Sequence, residues 1–389
     1  MTRSLRNRAA IAGIGQTEFS KASGRSELQL ACEAVKAALD DAGLRPADVD
    51  GLITFTMDTS EEAEVARNLG IPSLSVFTRV PYGGGASAGA VMQAAMAVAT
   101  GVADVVVCYR AFNERSGMRF GGAGHSGSAA LPPWLAWYAP YGLLTPAAWV
   151  ALHARRYMHA YGVTNEHFGR IAVVDRAHAA TNPAAWFYQR PITLDDHQRS
   201  RWIVEPVLRL LDCCQESDGG VALAVTTPER ARDLRQRPAL ITAAAQGAAD
   251  DGEMMTSYYR DDITGLPEMG VVARKLWSQS GLGPGDIQTA FLYDHFTPFV
   301  LVQLEELGFC ARGEAKDFAT IENLSLGGRL PINTNGGLLG EAYIHGMNGI
   351  TEAVRQIRGT SCNQVPGVEH VLVTSGTGVP TSGLILGRA

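Results

Sequence analysis

The chain repeats itself, and an internal repeat constrains architecture more tightly than composition can. Ala38-Leu39-Asp40-Asp41-Ala42-Gly43-Leu44-Arg45-Pro46-Ala47-Asp48-Val49 can be laid on Leu276 to Ile287. Gly43 then falls on Gly281, Leu44 on Leu282, Pro46 on Pro284, Asp48 on Asp286 and Val49 on Ile287. Each copy reads as an amphipathic helix ending on a glycine C-cap, then a proline turn, an acidic residue and an apolar strand. The strands are Gly51 to Phe55 and Ala290 to Tyr293. A looser second match joins Gly83–Cys108 to Gly336–Gly376: a glycine-rich turn, a helix (Ala86 to Ala99; Asn348 to Ile357), a loop and a strand (Val105 to Cys108; Val371 to Thr374). Strand-helix-strand-helix-strand, twice over, implies a duplicated α/β protein with mixed sheets. Glycines ahead of a helix allow tight turns and leave backbone N–H groups able to face a bound oxygen.

An insertion, roughly Gly117 to Trp202, separates the copies. It opens with a Gly/Ala/Ser-rich run to Ala130. Leu131 to Tyr141 follows, with too much proline for regular helix. Helical stretches Ala147–Tyr161 and Glu166–Ala179 come next. Trp134, Trp137, Tyr138 and Tyr141 suit the wall of an apolar pocket. The expected division is 1–116 for the first part of the N-terminal half, 117–202 for the inserted loop domain, 203–250 for completion of that half, and 251–389 for the C-terminal half.

Charge and composition exclude several classes. The formal net charge of −6, with no Lys/Arg block, lacks the footprint of a nucleic-acid binder. Ala9 to Ile14, after Arg3, Arg6 and Arg8, is shorter than the apolar core of a signal peptide. Ala86 to Tyr109 is interrupted by Gln93, Thr100, Gly101 and Asp104, so it reads as buried helix, turn and strand, not as a membrane span. The six cysteines form no C-x-x-C pair and no metal-ligand spacing, which predicts reduced thiols in a cytoplasmic protein with no metal. No P-loop is present, nor a G-x-G-x-x-G between a strand and a helix, so no cofactor is expected.

Four motifs in order carry a family likeness: Ser217-Asp218-Gly219-Gly220, Tyr293-Asp294-His295-Phe296-Thr297-Pro298, Asn335-Gly336-Gly337-Leu338 through Gly349, and Asn363-Gln364-Val365-Pro366-Gly367. From about Arg8 to Leu386 the chain resembles the thiolase superfamily, most of all its sterol-carrier or lipid-transfer branch. Tyr157 to Ile203 resembles that branch's loop domain. The resemblance implies a thiolase fold: duplicated βαβαβ halves in a layered αβαβα core, with an inserted loop domain.

The reaction is read from departures. A thiolase needs a nucleophilic cysteine where the buried helix of the first copy begins, because the helix N-terminus lowers the thiol pKa. Counted back from Thr100-Gly101, that position is Gly84, or Gly85 with a one-residue shift. Where the branch reads His-Asp-Cys-Phe, this chain reads Tyr293-Asp294-His295-Phe296; where it reads Gly-His-Pro, this chain reads Ala342-Tyr343-Ile344. Phenols replace both imidazoles, and the nucleophile is gone. A rebuilt site is implied.

Backbone N–H groups at Gly84 or Gly85 and at Gly376 could still hold an enolate oxygen, as the family holds a thioester oxygen. Chemistry around an enolate without a nucleophile needs only proton transfers, and retro-aldol cleavage of a β-hydroxyacyl-CoA meets that requirement. Tyr293 and Tyr343 are the expected acid/base pair, with His295 as orienter or proton partner. A tyrosine base near neutral pH would need its pKa lowered by a neighbour such as His295. His345 is a weaker candidate, for substrate contact. Asp294 and Asp218 read as turn-holding, and Cys213 and Cys214 receive no role. The departures resemble those of the steroid side-chain aldolases of actinobacteria. That likeness implies a 17-hydroxy-steroid 20-carboxyl-CoA substrate, a 17-ketosteroid and propionyl-CoA as products, and Trp134 to Tyr141 against the steroid. It also implies a homodimeric core and a small partner built from an OB-fold and a zinc ribbon, giving a heterotetramer. Two alternatives stay open: a non-catalytic acyl-CoA or lipid-binding subunit that scaffolds a partner enzyme, and acyl transfer by a displaced cysteine such as Cys108 or Cys362.

Overall fold

The computed structural model describes residues 4–55, 58–81, 83–119, 133–253, 257–376, 378 and 381–389. The first copy runs β1 (Ala10–Gln16), α1 (Glu27–Ala42), β2 (Gly51–Phe55), α2 (Glu62–Leu69), β3 (Val76–Val80), α3 (Ser87–Thr100) and β4 (Val105–Asn113). The insertion contributes α4 (Pro133–Tyr138), α5 (Pro146–Tyr161), α6 (Asn165–Thr181), α7 (Leu194–Arg199) and a hairpin of β5 (Trp202–Val204) and β6 (Leu208–Arg209). The chain returns to the first copy with β7 (Asp218–Thr226) and α8 (Pro228–Arg232). The second copy follows as β8 (Ala239–Gly247), α9 (Pro267–Ser280), β9 (Thr289–Phe291), α10 (Thr297–Glu306), α11 (Ala315–Phe318), α12 (Ile321–Leu324), α13 (Gly337–Gly340), α14 (Met347–Arg358), β10 (His370–Ser375) and β11 (Thr381–Arg388).

The repeated helix exits fold alike. Gly43 and Gly281 cap α1 and α9 in the left-handed region, at φ 75° and 69°. In each following turn the acidic side chain accepts from the backbone three residues back: Arg45 N to Asp48 Oδ2 at 2.9 Å, Gly283 N to Asp286 Oδ2 at 2.8 Å. These carboxylates hold turns together.

The strands form one mixed sheet in the order β3-β2-β4-β7-β1-β8-β11-β10-β9. Read outward from the β1/β8 seam, the two sides correspond: β1-β7-β4-β2-β3 against β8-β11-β10-β9, and a parallel bridge from Ala290 to Ile332 stands where β3 stands in the first copy. The seam itself is narrow, pairing only Ala10 with Leu240 and Ile11 with Ala239. β8 pairs with β11 from Gly247 to Ala239, so it opens the second copy. The expected boundary at 250 moves to Ala239: pairing, a non-local property, decides where this strand belongs.

Outer helices α1 and α9 cover the two half-sheets, while α3 and α14 lie between them. α3 touches β2, β4 and β7 on one side and β8 and β11 on the other. It buries Ser87, Ala88, Gly89, Ala90, Val91, Ala94, Ala95, Ala97 and Val98, and a helix apolar on nearly every face belongs inside. The result is the layered αβαβα core. In the insertion, residues 120–132 lie outside the described residues, and 133–138 form a short helix where no regular helix was expected. Pro133 opens α4, a position with no intrahelical N–H bond to lose.

Candidate active site

Three segments meet where the copies face each other: Gly83–Ser87 ahead of α3, Tyr293–His295 between β9 and α10, and Ala342–Met347 between α13 and α14. Each is tied down by hydrogen bonds. Tyr293 N donates to Thr374 Oγ1 at 2.9 Å, and Gln303 Nε2 donates to Tyr293 O at 2.9 Å. Asp294 accepts from Leu338 N and Leu339 N at 2.9 and 3.0 Å, joining the second segment to α13. Tyr343 N donates to Ser217 Oγ at 3.1 Å, and Cys214 N to the His295 carbonyl at 2.8 Å. Ser375, next to Gly376, bonds Ser87 Oγ at 2.7 Å and accepts from Ala88 N at 3.2 Å. The terminal loop is thus fixed to the start of α3.

The phenols of Tyr293 and Tyr343 meet at 2.9 Å. Tyr293 is buried and Tyr343 half-buried, so the pair opens on the Tyr343 side. Burial raises both pKa values well above the ordinary tyrosine value, and both stand protonated at neutral pH. That corrects the expectation of a lowered tyrosine pKa: His295 supplies no charge. Burial pushes the His295 imidazole down to about 3, and its ring stacks on Phe299 with centroids 5.6 Å apart and lies 5.0 Å from the Tyr293 ring.

Gly84 explains the tyrosine. A Cβ at this position would lie 1.6 Å from the Tyr293 hydroxyl oxygen and 2.5 Å from Cζ. The phenol fills the space that a side chain at residue 84 would need, so any nucleophile there and this tyrosine exclude each other. Gly84 and Gly85 begin the helical turn that runs into α3, where N–H groups have no intrahelical partner. Gly376 stands at φ 74°, at the end of β10.

The other thiols fare badly as nucleophiles. Burial and the neighbouring Glu114, Cys213, Asp294 and Glu216 hold Cys214 protonated, although it lies close enough to feel both tyrosines. Burial likewise raises Cys108 beyond use, and burial takes Cys362 up to about 11.

His345 lies beside the pair, its ring 4.7 Å from that of Tyr343. Three neighbours were missed from the sequence, Arg110, Glu114 and Lys21, and Cys214 was named there without a role. Arg110 is wholly buried with its Nε 3.4 Å from His345 Nδ1. Glu114 is buried, and burial raises its carboxyl well above the usual range. Burial lowers Lys21 to about 8; its Nζ donates to Gln215 Oε1 at 2.9 Å and to the Glu216 carbonyl at 2.6 Å. The available signal was charge at Arg110 and Glu114, closing a strand otherwise apolar from Val105.

The aromatic wall divides. Tyr138 is buried, its hydroxyl on the Glu253 carboxylate and its ring edge-on to Tyr258. Trp137 and Tyr141 are 70% and 81% exposed. The Trp134 side chain lies outside the described residues. Among the described residues, no group of three His, Cys, Asp or Glu could hold a metal, and no helix is long and apolar enough to cross a membrane.

Residues 9–109 match the family "Thiolase, N-terminal domain" and residues 247–388 match "Thiolase C-terminal domain-like". The chain belongs to the thiolase superfamily, in its aldolase branch of carbon–carbon lyases. It is 71% identical to a "Steroid side-chain-cleaving aldolase" of Thermomonospora curvata over 97% of each chain. It is 65% identical to the "17-hydroxy-3-oxo-4-pregnene-20-carboxyl-CoA lyase" of Mycobacterium tuberculosis, over 98% of this chain and 100% of that one. A solved structure, "Ltp2-ChsH2(DUF35) aldolase", superposes with a TM-score of 0.93 at 70% identity, over 99% of both chains.

Proposed function

We propose that the chain cleaves a β-hydroxyacyl-CoA by retro-aldol chemistry, with Tyr293 and Tyr343 moving the protons. The relatives' names point to a 17-hydroxy-3-oxo-steroid 20-carboxyl-CoA, and retro-aldol cleavage of such a substrate would give a 17-ketosteroid and propionyl-CoA. The observation that carries the reading is the phenol of Tyr293 in the side-chain space of Gly84, hydrogen-bonded to Tyr343.

Two neutral phenols in contact can act without either becoming a free phenolate. The β-hydroxyl gives its proton to one phenol oxygen, that phenol gives its own proton to the other, and the second delivers its proton to the α-carbon. Meanwhile the Cα–Cβ bond breaks and its electron pair passes through the α-carbon and thioester oxygen as an enolate. The Cβ–O bond becomes a ketone carbonyl. Each tyrosine gains one proton and loses one, and no oxidant or nucleophile enters. Backbone N–H groups at Gly84, Gly85 and Gly376 hold the enolate oxygen, each worth about 2.7–4 kcal/mol in comparable sites. The exposed rings of Trp137 and Tyr141 offer apolar surface for a polycyclic acyl group to cover. A DUF35 protein is the partner that this reading assigns, by likeness to the solved aldolase complex; an OB-fold and zinc ribbon in that partner, and a homodimeric core, come from the family resemblance alone.

Tyr293→Phe and Tyr343→Phe, assayed with the partner by product release, should each lower kcat by roughly 10²–10⁴ while leaving the melting temperature near wild type. Wild-type turnover in both variants overturns the mechanism. Tight ligand binding with no turnover in the wild type points instead to the scaffolding subunit.

A further inference from the structure

Arg110 is the one fully buried arginine among the described residues, and the reaction above does not use it. Its guanidinium lies over Phe55 and Phe112, 5.1 and 4.6 Å from the ring centroids, which leaves it no room to swing. Asp58 stands behind it, Oδ2 3.6 Å from Nη1, itself held by Ser60 N at 2.8 Å and Ala111 N at 2.9 Å. Removing such a cation from water is costly even with a counter-ion, so its placement calls for a reason. The reason is at its third nitrogen. Nε points at His345 Nδ1, 3.4 Å away.

A guanidinium carries donors only, so Nδ1 must present a lone pair. The remaining proton of a neutral imidazole then sits on Nε2. A second proton would set an imidazolium against the guanidinium in a site closed to water. The ring is fixed from both sides by edge contacts with Phe55 and Phe112, each at 6.2 Å. The backbone of His345 stands at φ 50°, in the left-handed region that a side-chain-bearing residue adopts only under constraint. Nε2 faces the turn ahead of α3: a Cβ on Gly83 would lie 3.8 Å from it. The N–H is therefore delivered to the face shared by Gly84 and Tyr343.

We infer that Arg110 is a positioning residue that locks His345 as the Nε2–H tautomer, and that this N–H donates to the thioester oxygen of the bound substrate. The donor role rests on the retro-aldol reading; the lock does not. A neutral imidazole suits the task, because it strengthens its hydrogen bond as negative charge grows on the oxygen without surrendering a proton to it. Among the described residues, the groups facing His345 from the surrounding elements include Arg110 on β4, with Asp58 and Glu27 behind it and Glu114 at the strand's end. Tyr343 faces it from its own loop, and His295 acts on it from the segment ahead of α10. Burial first, then Arg110 and His295, hold its pKa well below the ordinary histidine value.

The test is long-range ¹H–¹⁵N spectroscopy of the histidine rings in the full chain with its partner, His345 being assigned by the signal lost in His345→Gln. The expected spectrum shows Nε2 protonated, Nδ1 not, and no titration from pH 5 to 9. Titration in that window, or a proton on Nδ1, overturns the lock. In Arg110→Met the ring should lose its single tautomer, a proton appearing on Nδ1, while burial still holds its pKa below the ordinary histidine value. Should that variant fail to fold, the wild-type spectrum alone decides the lock. His345→Phe should lower kcat by roughly 10²–10³ with KM little changed, and His345→Gln, which keeps a donor, should recover part of the loss. Undiminished kcat in His345→Phe overturns the donor role. Failure of the retro-aldol reading shows itself separately, as tyrosine variants of full activity beside an unchanged imidazole spectrum.

Discussion

Gly84 and Tyr293 occupy one site between them, and neither can change alone. An added Cβ would meet the phenol oxygen at 1.6 Å, so Gly84→Ala must expel the Tyr293 ring or bend the turn ahead of α3. Turnover should fall by at least ~10²-fold, the scale of a lost acid/base group, and the melting temperature should fall with it. Pairing Gly84→Ala with Tyr293→Ala should restore much of the stability. A double-mutant cycle by denaturant unfolding should give a coupling of roughly 0.5–3 kcal/mol, and strict additivity would show that the two do not compete for space. The protonation of the pair makes a second prediction. Both pKa values are raised by burial, so the neutral form that the proposed relay needs persists across the neutral range and is lost only as pH climbs past about 10. The kcat/KM profile should be flat from pH 6 to 9. An acid limb with a midpoint of about 7 to 8 would mean that a phenolate base is required. The phenols were legible in the sequence because they stand at motif positions. Their raised pKa values were not, since burial is a property of the folded neighbourhood. Arg110 escaped for a related reason: inside a strand reading Val-Val-Val-Cys-Tyr-Arg-Ala-Phe, one charge looks like an outward-facing residue until the partner side of the sheet is known.

Between elements, a pair of carboxyls ties α6 to the segment that carries Tyr293. Asp175 is buried and hydrogen-bonds Asp294, which in turn accepts the two N–H groups of α13. Burial raises both, Asp294 to about 6, and the contact requires one shared proton. A carboxyl whose pKa is raised on folding stabilises the fold fully below its unfolded value, about 4, and loses that contribution as pH rises through its folded value. Stability from this pair should therefore begin to decline above about pH 4 and go on falling past pH 6, since Asp175 is held well above its usual range. Asp175→Asn supplies a permanent donor and lets Asp294 ionise, so the decline should vanish. Thermal melts should show the variant gaining on the wild type between pH 5 and 7.5, by an amount on the order of 1–3 kcal/mol. An equal difference at both pH values would mean no shared proton. The elements themselves were readable where the signal is local: Gly43 and Gly281 cap their helices, and Asp48 and Asp286 close their turns, from residues within a few positions. α4 was not readable, because proline opposes helix in the interior yet is tolerated in the first turn, and only the start point distinguishes the cases.

At the scale of the molecule, the duplication does more than build two similar sheets. Gly84 and the start of α3 come from the first copy, the tyrosines, His345 and Gly376 from the second, and α3 is buried by strands of both. The narrow β1/β8 seam of two residue pairs could not hold the halves together; the helices packed between the sheets do so. A site divided in this way exists only when both copies are folded and docked, so unfolding should be a single transition despite a length that often gives separable domains. The tryptophans make this measurable, because all six lie in the insertion and the second copy, from Trp134 to Trp277, whereas backbone circular dichroism sees the whole chain. In urea, fluorescence, circular dichroism and residual activity should share one midpoint. A fluorescence transition offset from the dichroism would show the copies unfolding independently, and the core helices would then belong to one half alone.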